Sequence, residues 1–178
     1  PSSLPKARSP ENRMRIALVT PARPGSRAGN RHTALRWAAM LRAAGHRVDV
    51  CVEWDGRGAP DLMLALHARR SHASIVRFAH AYPSRPLVLA LTGTDVYRDI
   101  HVSPEARESL ALATRFITLQ REAALELPRT LRRKVHVVVQ SSATSRRHRP
   151  RGAHFRACVI GHLRDEKDPL RAAMALAH

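Results

Sequence analysis

The sequence predicts an α/β fold with a doubly wound parallel sheet, because short apolar runs alternate with helical patterns along its 178 residues. The first run, residues 15–20, is almost wholly apolar, as expected of a strand covered on both faces. A glycine-bearing loop follows, and apolar residues then recur at helical spacing from Ala34 to Ala44 before Gly45. With the next strand, residues 46–52, these segments form a βαβ unit, whose repetition predicts a Rossmann-like sheet.

Four further apolar runs predict strands at residues 61–67, 86–92, 115–120 and 134–140, with helical segments between them. Ser103, followed by Pro104 and Glu105, carries the start signal of a helix. The expected strand order is 3-2-1-4-5-6. In that order a ligand crevice lies beyond the carboxyl ends of the first and fourth strands, with His67 nearby at the end of the third.

Composition shifts divide the chain into four parts. Residues 1–13 are rich in Pro, Ser and charge and predict a disordered tail, whereas residues 14–140 predict one N-terminal Rossmann-like domain. Residues 141–153 are polar and basic and predict a linker. Residues 154–178 predict a strand at 155–161 and a helix from 169, which we interpret as the start of a second, apparently incomplete, α/β domain.

The charge is strongly basic, with 31 basic residues against 14 acidic ones and a net charge of +17. Such a balance suits an anionic partner, but an arginine-rich composition bias explains most of it, because the arginines are scattered and aromatic residues are few. Cys51 and Cys158 lie in apolar runs and predict small buried side chains. No apolar run reaches the roughly 18 residues that span a bilayer, so a soluble, cytoplasmic protein is expected.

The loop after the first strand has the outline of an anion site. Gly25 and Gly29 allow close backbone approach, and Asn30 is expected to cap a helix whose free N–H groups point at the loop. The neighbouring polar and basic residues add donors and positive charge: Ser26, Arg27, Arg31 and His32. An ordinary turn is the alternative, since the loop matches neither common phosphate-binding motif.

Other candidate residues follow the later strands, and each has a structural alternative. Thr92, Gly93, Thr94 and Asp95 form either part of the site or a turn that closes the strand. His67 is either functional or a hydrogen-bonded residue at a strand end. Arg70, with Arg69 beside it, either binds phosphate or is simply solvated.

Several segments together resemble the family 4-like glycosyltransferases, which have two Rossmann-type domains in the GT-B architecture. The segments are GNRHTALRW, LHARRS, LTGTDVYRD, VVVQSSA and ACVIGHLRDEK. More narrowly, they resemble the selenosugar synthases of bacterial selenoneine biosynthesis. The resemblance covers residues 14–178.

This resemblance implies an enzyme that transfers a sugar from UDP-GlcNAc or UDP-glucose to selenophosphate, forming a selenium–carbon bond. The N-terminal domain would receive the acceptor, with Asp95, Arg31 and His67 as catalytic residues. The donor diphosphate would be held by the loop after the linker, at Gly161, His162, Arg164 and Lys167. His162 stands where the family has an arginine. No cofactor or metal is implied, and the expected partners are these substrates, with a functional link to a selenophosphate synthetase and a selenoneine synthase, and neither nucleic acid nor membrane.

The acceptor site in this interpretation needs cations more than a general base, because selenophosphate is already anionic near neutral pH. Arg31 and Arg70 would neutralise it, and Asp95 would orient the acceptor or a loop. Two other functions remain open. One is a glycosyltransferase with a hydroxyl or thiol acceptor, and the other is a noncatalytic basic module that binds nucleic acid.

Overall fold

A computed structural model describes residues 13–141, 158–159 and 168–175. The chain divides between Ser141 and Ser142 into two compact units. The first contains a single six-stranded sheet in which every neighbouring pair of strands is parallel. The strands are β1 Arg15–Val19, β2 Arg47–Cys51, β3 Leu62–Leu66, β4 Leu87–Leu91, β5 Arg115–Thr118 and β6 Val135–Val137.

Helices connect most of these strands. They are α1 Gly29–Ala43, α2 His72–Ala81, a π-helical turn Asp95–Asp99 that runs into α3 Ile100–Val102, α4 Pro104–Leu112, a 3₁₀ turn Glu122–Glu126 and α5 Arg129–Arg132. In the second unit, α6 spans Arg171–Met174. None of the helices among the described residues is long and apolar enough to cross a bilayer.

The sheet is covered on both faces, and alternate side chains of one strand point to different helices. Ile16 and Leu18 of β1 belong to a cluster with Ala34 and Ala38 of α1. The intervening Ala17 and Val19 belong to the other cluster, which includes side chains of α2 and α4. This two-sided burial explains why β1 is almost wholly apolar, and the predicted Rossmann-like α/β fold is confirmed.

The predicted strand order is wrong, since the observed order is β2-β1-β3-β4-β5-β6. β2 lies at an edge, and its Arg47 and Asp49 are exposed, whereas β3 is buried along most of its length. A strand with polar residues at alternate positions fits an edge, and a continuous apolar strand fits the centre. The order in which successive strands are added to the sheet therefore reverses between β1 and β3, not between β1 and β4, and this moves the expected crevice by one strand.

The connection between β2 and β3 contains no helix and is held by Trp54, which is 4% exposed. Its ring packs edge-on against Phe78 of α2 with 5.6 Å between centroids. Its backbone N–H donates to Ser74 Oγ at 2.9 Å, and its indole N–H donates to the Arg57 carbonyl at 2.8 Å. Trp54 thus covers the part of the sheet that a crossover helix would usually cover.

The helix-start predictions had different outcomes. Ser103 does cap α4, because its Oγ accepts the Ala106 N–H at 3.1 Å. Asn30 is not an N-cap, since α1 begins at Gly29, two residues earlier than predicted, and Ala28 occupies the cap position without a side-chain hydrogen bond. Gly25 has the expected positive φ of 78°, whereas Gly29 does not have a positive φ because it is already helical.

Two predictions near the end of the chain are also corrected. β6 ends at Val137, three residues earlier than expected, and the side-chain amide of Gln140 then donates to Thr33 Oγ1 of α1 at 2.8 Å. Cys158 is exposed, not buried, and Cys51 is half-buried. Of the predicted strand at 155–161, only Cys158 and Val159 are described, and neither lies in a strand. The predicted tail is outside the described residues except for Arg13, and the linker is outside them except for Ser141.

Candidate functional site

A pocket of about 380 Å³ opens beyond the carboxyl ends of β1 and β3, the two neighbouring strands at which the strand order of the sheet reverses. It is lined by Pro21, Ala22, Arg23, Ser26, Ala28, Asn30 and Arg70. Most of these residues belong to the loop after β1, Asn30 lies in the first turn of α1, and Arg70 follows β3. Ligands of doubly wound sheets bind at such a reversal point, so this is the leading candidate site.

The pocket is positively charged. Its lining includes the guanidinium groups of Arg23 and Arg70 but no carboxylate. Neither guanidinium forms an ion pair with another described residue. Ser26 and Asn30 add side chains that can donate to an oxyanion. The arrangement suits a phosphate-like group of a ligand.

Local hydrogen bonds fix the shape of the loop. The Ser26 N–H donates to the Arg23 carbonyl at 3.1 Å across the positive-φ Gly25, and the Ala28 N–H donates to Ser26 Oγ at 3.1 Å. Thr20, which is fully buried, donates through Oγ1 to the Asn30 carbonyl at 3.3 Å. The loop is therefore tied both to itself and to α1, which preorganises the pocket.

His67 lies at the end of β3 in a left-handed conformation, with φ of 75° and 4% exposure. This conformation is uncommon for residues other than glycine and often marks a functional position. Its Nδ1 accepts the Arg70 N–H at 3.4 Å, so the neutral ring is assigned a proton on Nε2. Burial lowers the pKa of His67, although Asp95 and Asp99 oppose this effect. With its proton on Nε2, the neutral ring offers an N–H donor at that nitrogen.

Asp95 is fully buried and binds backbone groups of two loops. Its Oδ1 accepts the N–H groups of Thr92 at 3.0 Å and Gly93 at 2.8 Å, while its Oδ2 accepts that of Ala68 at 3.2 Å. These contacts join the loop after β4 to the loop after β3. They correspond to the turn-closing alternative and to a role in orienting a loop, while a catalytic role for Asp95 stays a prediction.

Asp99 is a second buried carboxylate that the sequence interpretation missed. It is 2% exposed and receives Arg69 Nε at 3.0 Å and Arg98 Nε at 3.3 Å, with His67 Nε2 at 3.9 Å. It follows Asp95 by four residues in the π-helical turn. That spacing places both carboxylates on one side of a helical turn, and this signal was available in the sequence.

The predicted catalytic and acceptor-binding residues fall into three groups. Ser26, Asn30 and Arg70 line the pocket, and Arg23, which was not predicted, joins them. Gly25, Arg27, Gly29, Arg31 and His32 are neighbours in the chain but do not line it. His67, Thr92, Gly93, Thr94 and Asp95 lie at the ends of β3 and β4, and Thr92 Oγ1 is buried without a hydrogen-bond partner.

The predicted donor-binding residues Gly161, His162, Arg164 and Lys167 lie outside the described residues. Among the residues described, no group of three or more His, Cys, Asp or Glu side chains could hold a metal ion. Comparison of the chain with protein-family profiles finds no match, and comparison with curated proteins finds none either.

Proposed function

We propose that this chain functions as a selenosugar synthase, a glycosyltransferase that moves a sugar from a UDP-sugar to selenophosphate. The proposal combines the sequence resemblance with the chemistry of the pocket between β1 and β3. The proposal also places the enzyme in the cytoplasm. Within the first unit, the pocket would bind the anionic acceptor.

One observation carries the proposal: the pocket presents Arg23 and Arg70 and no carboxylate among its lining residues. An acceptor that attacks through a neutral hydroxyl needs a general base to remove its proton. Selenophosphate is already ionised near neutral pH, so its binding site needs cations and hydrogen-bond donors. The composition of the pocket favours such an acceptor over a sugar hydroxyl.

The nearby titratable groups support the same interpretation. The carboxylate of Asp95 is occupied by three backbone N–H groups, and that of Asp99 by two guanidinium groups. His67 accepts a backbone N–H on Nδ1, which leaves an N–H donor on Nε2. These groups position loops and cations, and none of the three is among the residues that line the pocket.

The reaction would proceed in two steps, sugar transfer and then hydrolysis of the selenium–phosphorus bond. A selenium lone pair attacks C1 of the sugar, and the bond from C1 to the diphosphate oxygen breaks, so that UDP leaves with the electron pair. Water then attacks phosphorus, the selenium–phosphorus bond breaks, and phosphate and a 1-selenosugar are released. Arg23 and Arg70 would hold the phosphoryl oxygens during the first step, and the resemblance assigns Lys167 and Arg164 to the leaving diphosphate.

Mass spectrometry of the products tests the proposal. The full-length protein is incubated with UDP-GlcNAc or UDP-glucose and with selenophosphate, thiophosphate, a thiol or a sugar hydroxyl as acceptor. We expect a selenosugar and free UDP with selenophosphate, and weaker transfer to thiophosphate.

Transfer only to hydroxyl or thiol acceptors would replace the proposal with an ordinary glycosyltransferase. No sugar transfer, together with steeply salt-dependent binding to single-stranded or duplex nucleic acid, would favour a noncatalytic basic module instead.

A further inference from the structure

A second pocket, of about 590 Å³, lies between α3, α4 and the segment that contains α5. It shares no lining residue with the pocket between β1 and β3. The proposed transfer reaction makes no use of it. Its size is within the range of ordinary binding pockets.

The floor of this pocket is apolar. Leu110, Ile100 and Leu127 are buried beneath it, with exposures of 5%, 6% and 1%. Leu125 also lines the pocket and is 58% exposed. Apolar surface thus continues from the buried floor to the exposed side chain of Leu125, which is a feature of protein interaction sites.

The rim is positively charged. The lining includes three guanidinium groups, those of Arg107, Arg129 and Arg132, and one carboxylate, that of Glu126. Glu126 is engaged in a hydrogen bond, because its Oε2 lies 3.1 Å from His101 Nε2. None of the three arginines forms an ion pair with a described residue.

Two of the guanidinium groups are held in place by backbone carbonyls. Arg132 donates through Nε to the Leu127 carbonyl at 3.0 Å and through Nη2 to the Leu125 carbonyl at 2.7 Å. Arg107 donates through Nη2 to the His101 carbonyl at 3.0 Å. A carbonyl orients a guanidinium without neutralising it, so two fixed positive charges border an apolar floor.

We propose that this pocket is the docking site for an acidic amphipathic segment of a partner protein. Apolar side chains of the segment fill the floor, and its carboxylates meet the guanidinium groups on the rim. The charge complementarity selects an acidic partner. A protein segment fits better than a small amphiphile because it also covers Leu125, which lines the pocket and is 58% exposed. This proposal does not depend on the proposed enzymatic function.

Fluorescence anisotropy with a labelled peptide tests the proposal on the full-length chain. The probe is an amphipathic peptide of about 15 residues with leucines on one helical face and glutamates elsewhere. A scrambled peptide of the same composition controls for charge alone, and sodium dodecanoate, as a competitor, tests for a small amphiphile.

The variants Arg129→Glu and Leu125→Ser change the pocket at exposed side chains that support no described hydrogen bond. The matched controls are Arg133→Glu, at the C-cap of the same short helix but outside the lining, and Val139→Ser, whose side chain is 74% exposed and also outside the lining.

We expect the amphipathic peptide to bind about tenfold more tightly than the scrambled one, and Arg129→Glu to remove about tenfold of its affinity. Leu125→Ser should also weaken binding, while both control variants bind as the unaltered protein does. Equal binding of the two peptides, equal effects of Arg129→Glu and Arg133→Glu, or displacement of the peptide by dodecanoate at low concentration would each overturn the proposal.

Discussion

Replacing Asp95 with asparagine tests whether this carboxylate holds the strand-end loops together. The two oxygens of Asp95 accept N–H groups from Thr92, Gly93 and Ala68. Asparagine keeps one oxygen, which can continue to serve Thr92 and Gly93. Its amide nitrogen then faces the Ala68 N–H, donor against donor, in a site with no solvent exposure.

The expected loss follows from these contacts. The Ala68 N–H loses its hydrogen bond to a charged oxygen and is left buried and unsatisfied, and the longer contact of the Thr92 N–H with Oδ2 at 3.3 Å is lost as well. A hydrogen bond to a charged group is worth roughly 1.5–3 kcal/mol. We therefore expect the free energy of unfolding to fall by about 3 kcal/mol, against a typical total of about 5–15 kcal/mol. For a chain of 178 residues this corresponds to a decrease in Tm of about 6–12 °C.

Thermal and urea unfolding followed by circular dichroism measure this change. Asp55→Asn is the matched control, because Asp55 also accepts a backbone N–H but its side chain is 64% exposed. The control should stay within about 0.5 kcal/mol of the unaltered protein. If Asp95→Asn unfolds within about 2 °C of the unaltered protein while sugar transfer is lost, the carboxylate acts in catalysis and the structural reasoning is wrong.

Two further predictions concern titratable groups. Burial lowers the pKa of His67 from its usual 6.5, so the unfolded chain binds a proton below that pH that the folded protein does not. The free energy of unfolding should therefore fall as pH drops below 6.5. It should fall less in His67→Asn, because asparagine tolerates the left-handed backbone but does not titrate. Urea unfolding at several pH values measures this, and the same pH dependence in the variant and the unaltered protein would contradict it. Burial also raises the pKa of the Cys51 thiol to about 11, whereas Cys158 is exposed. Iodoacetamide should label Cys158 first, by peptide mass mapping, and Cys51 only after denaturation, and early labelling of Cys51 would refute the assigned burial.

The fold class was predictable because the spacing of apolar residues along a strand or helix follows directly from which of its faces are buried. The apolar run of β1 has helices on both sides, and the stripe of α1 faces the sheet. The strand order was not predicted, although the polar alternation of Arg47 and Asp49 in β2 contained the signal for an edge strand. Periodicity shows which faces of a strand are buried, whereas pairing depends on contacts between distant segments.

The candidate site was predicted only in part, because local features can be identified in the sequence whereas contacts between distant segments cannot. Its loop was identifiable, since Gly25 and the approach of a helix are local features. Arg23 was missed because its place in the pocket depends on which strands are neighbours, whereas Asp99 was missed although its four-residue spacing from Asp95 is a local signal. Asparagine is a frequent helix cap, yet α1 begins at Gly29, so Asn30 lies inside the helix and lines the pocket.

The central claim is that the pocket between β1 and β3 binds the phosphoryl group of an anionic acceptor. Isothermal titration calorimetry with thiophosphate, a stable analogue of selenophosphate, measures it most directly, with Arg70→Ala compared against Arg57→Ala, which alters an exposed arginine elsewhere. Loss of one charged hydrogen-bonding partner predicts a Kd roughly 10–100-fold higher for Arg70→Ala and an unchanged Kd for Arg57→Ala. Equal affinities for thiophosphate in the two variants would contradict the claim.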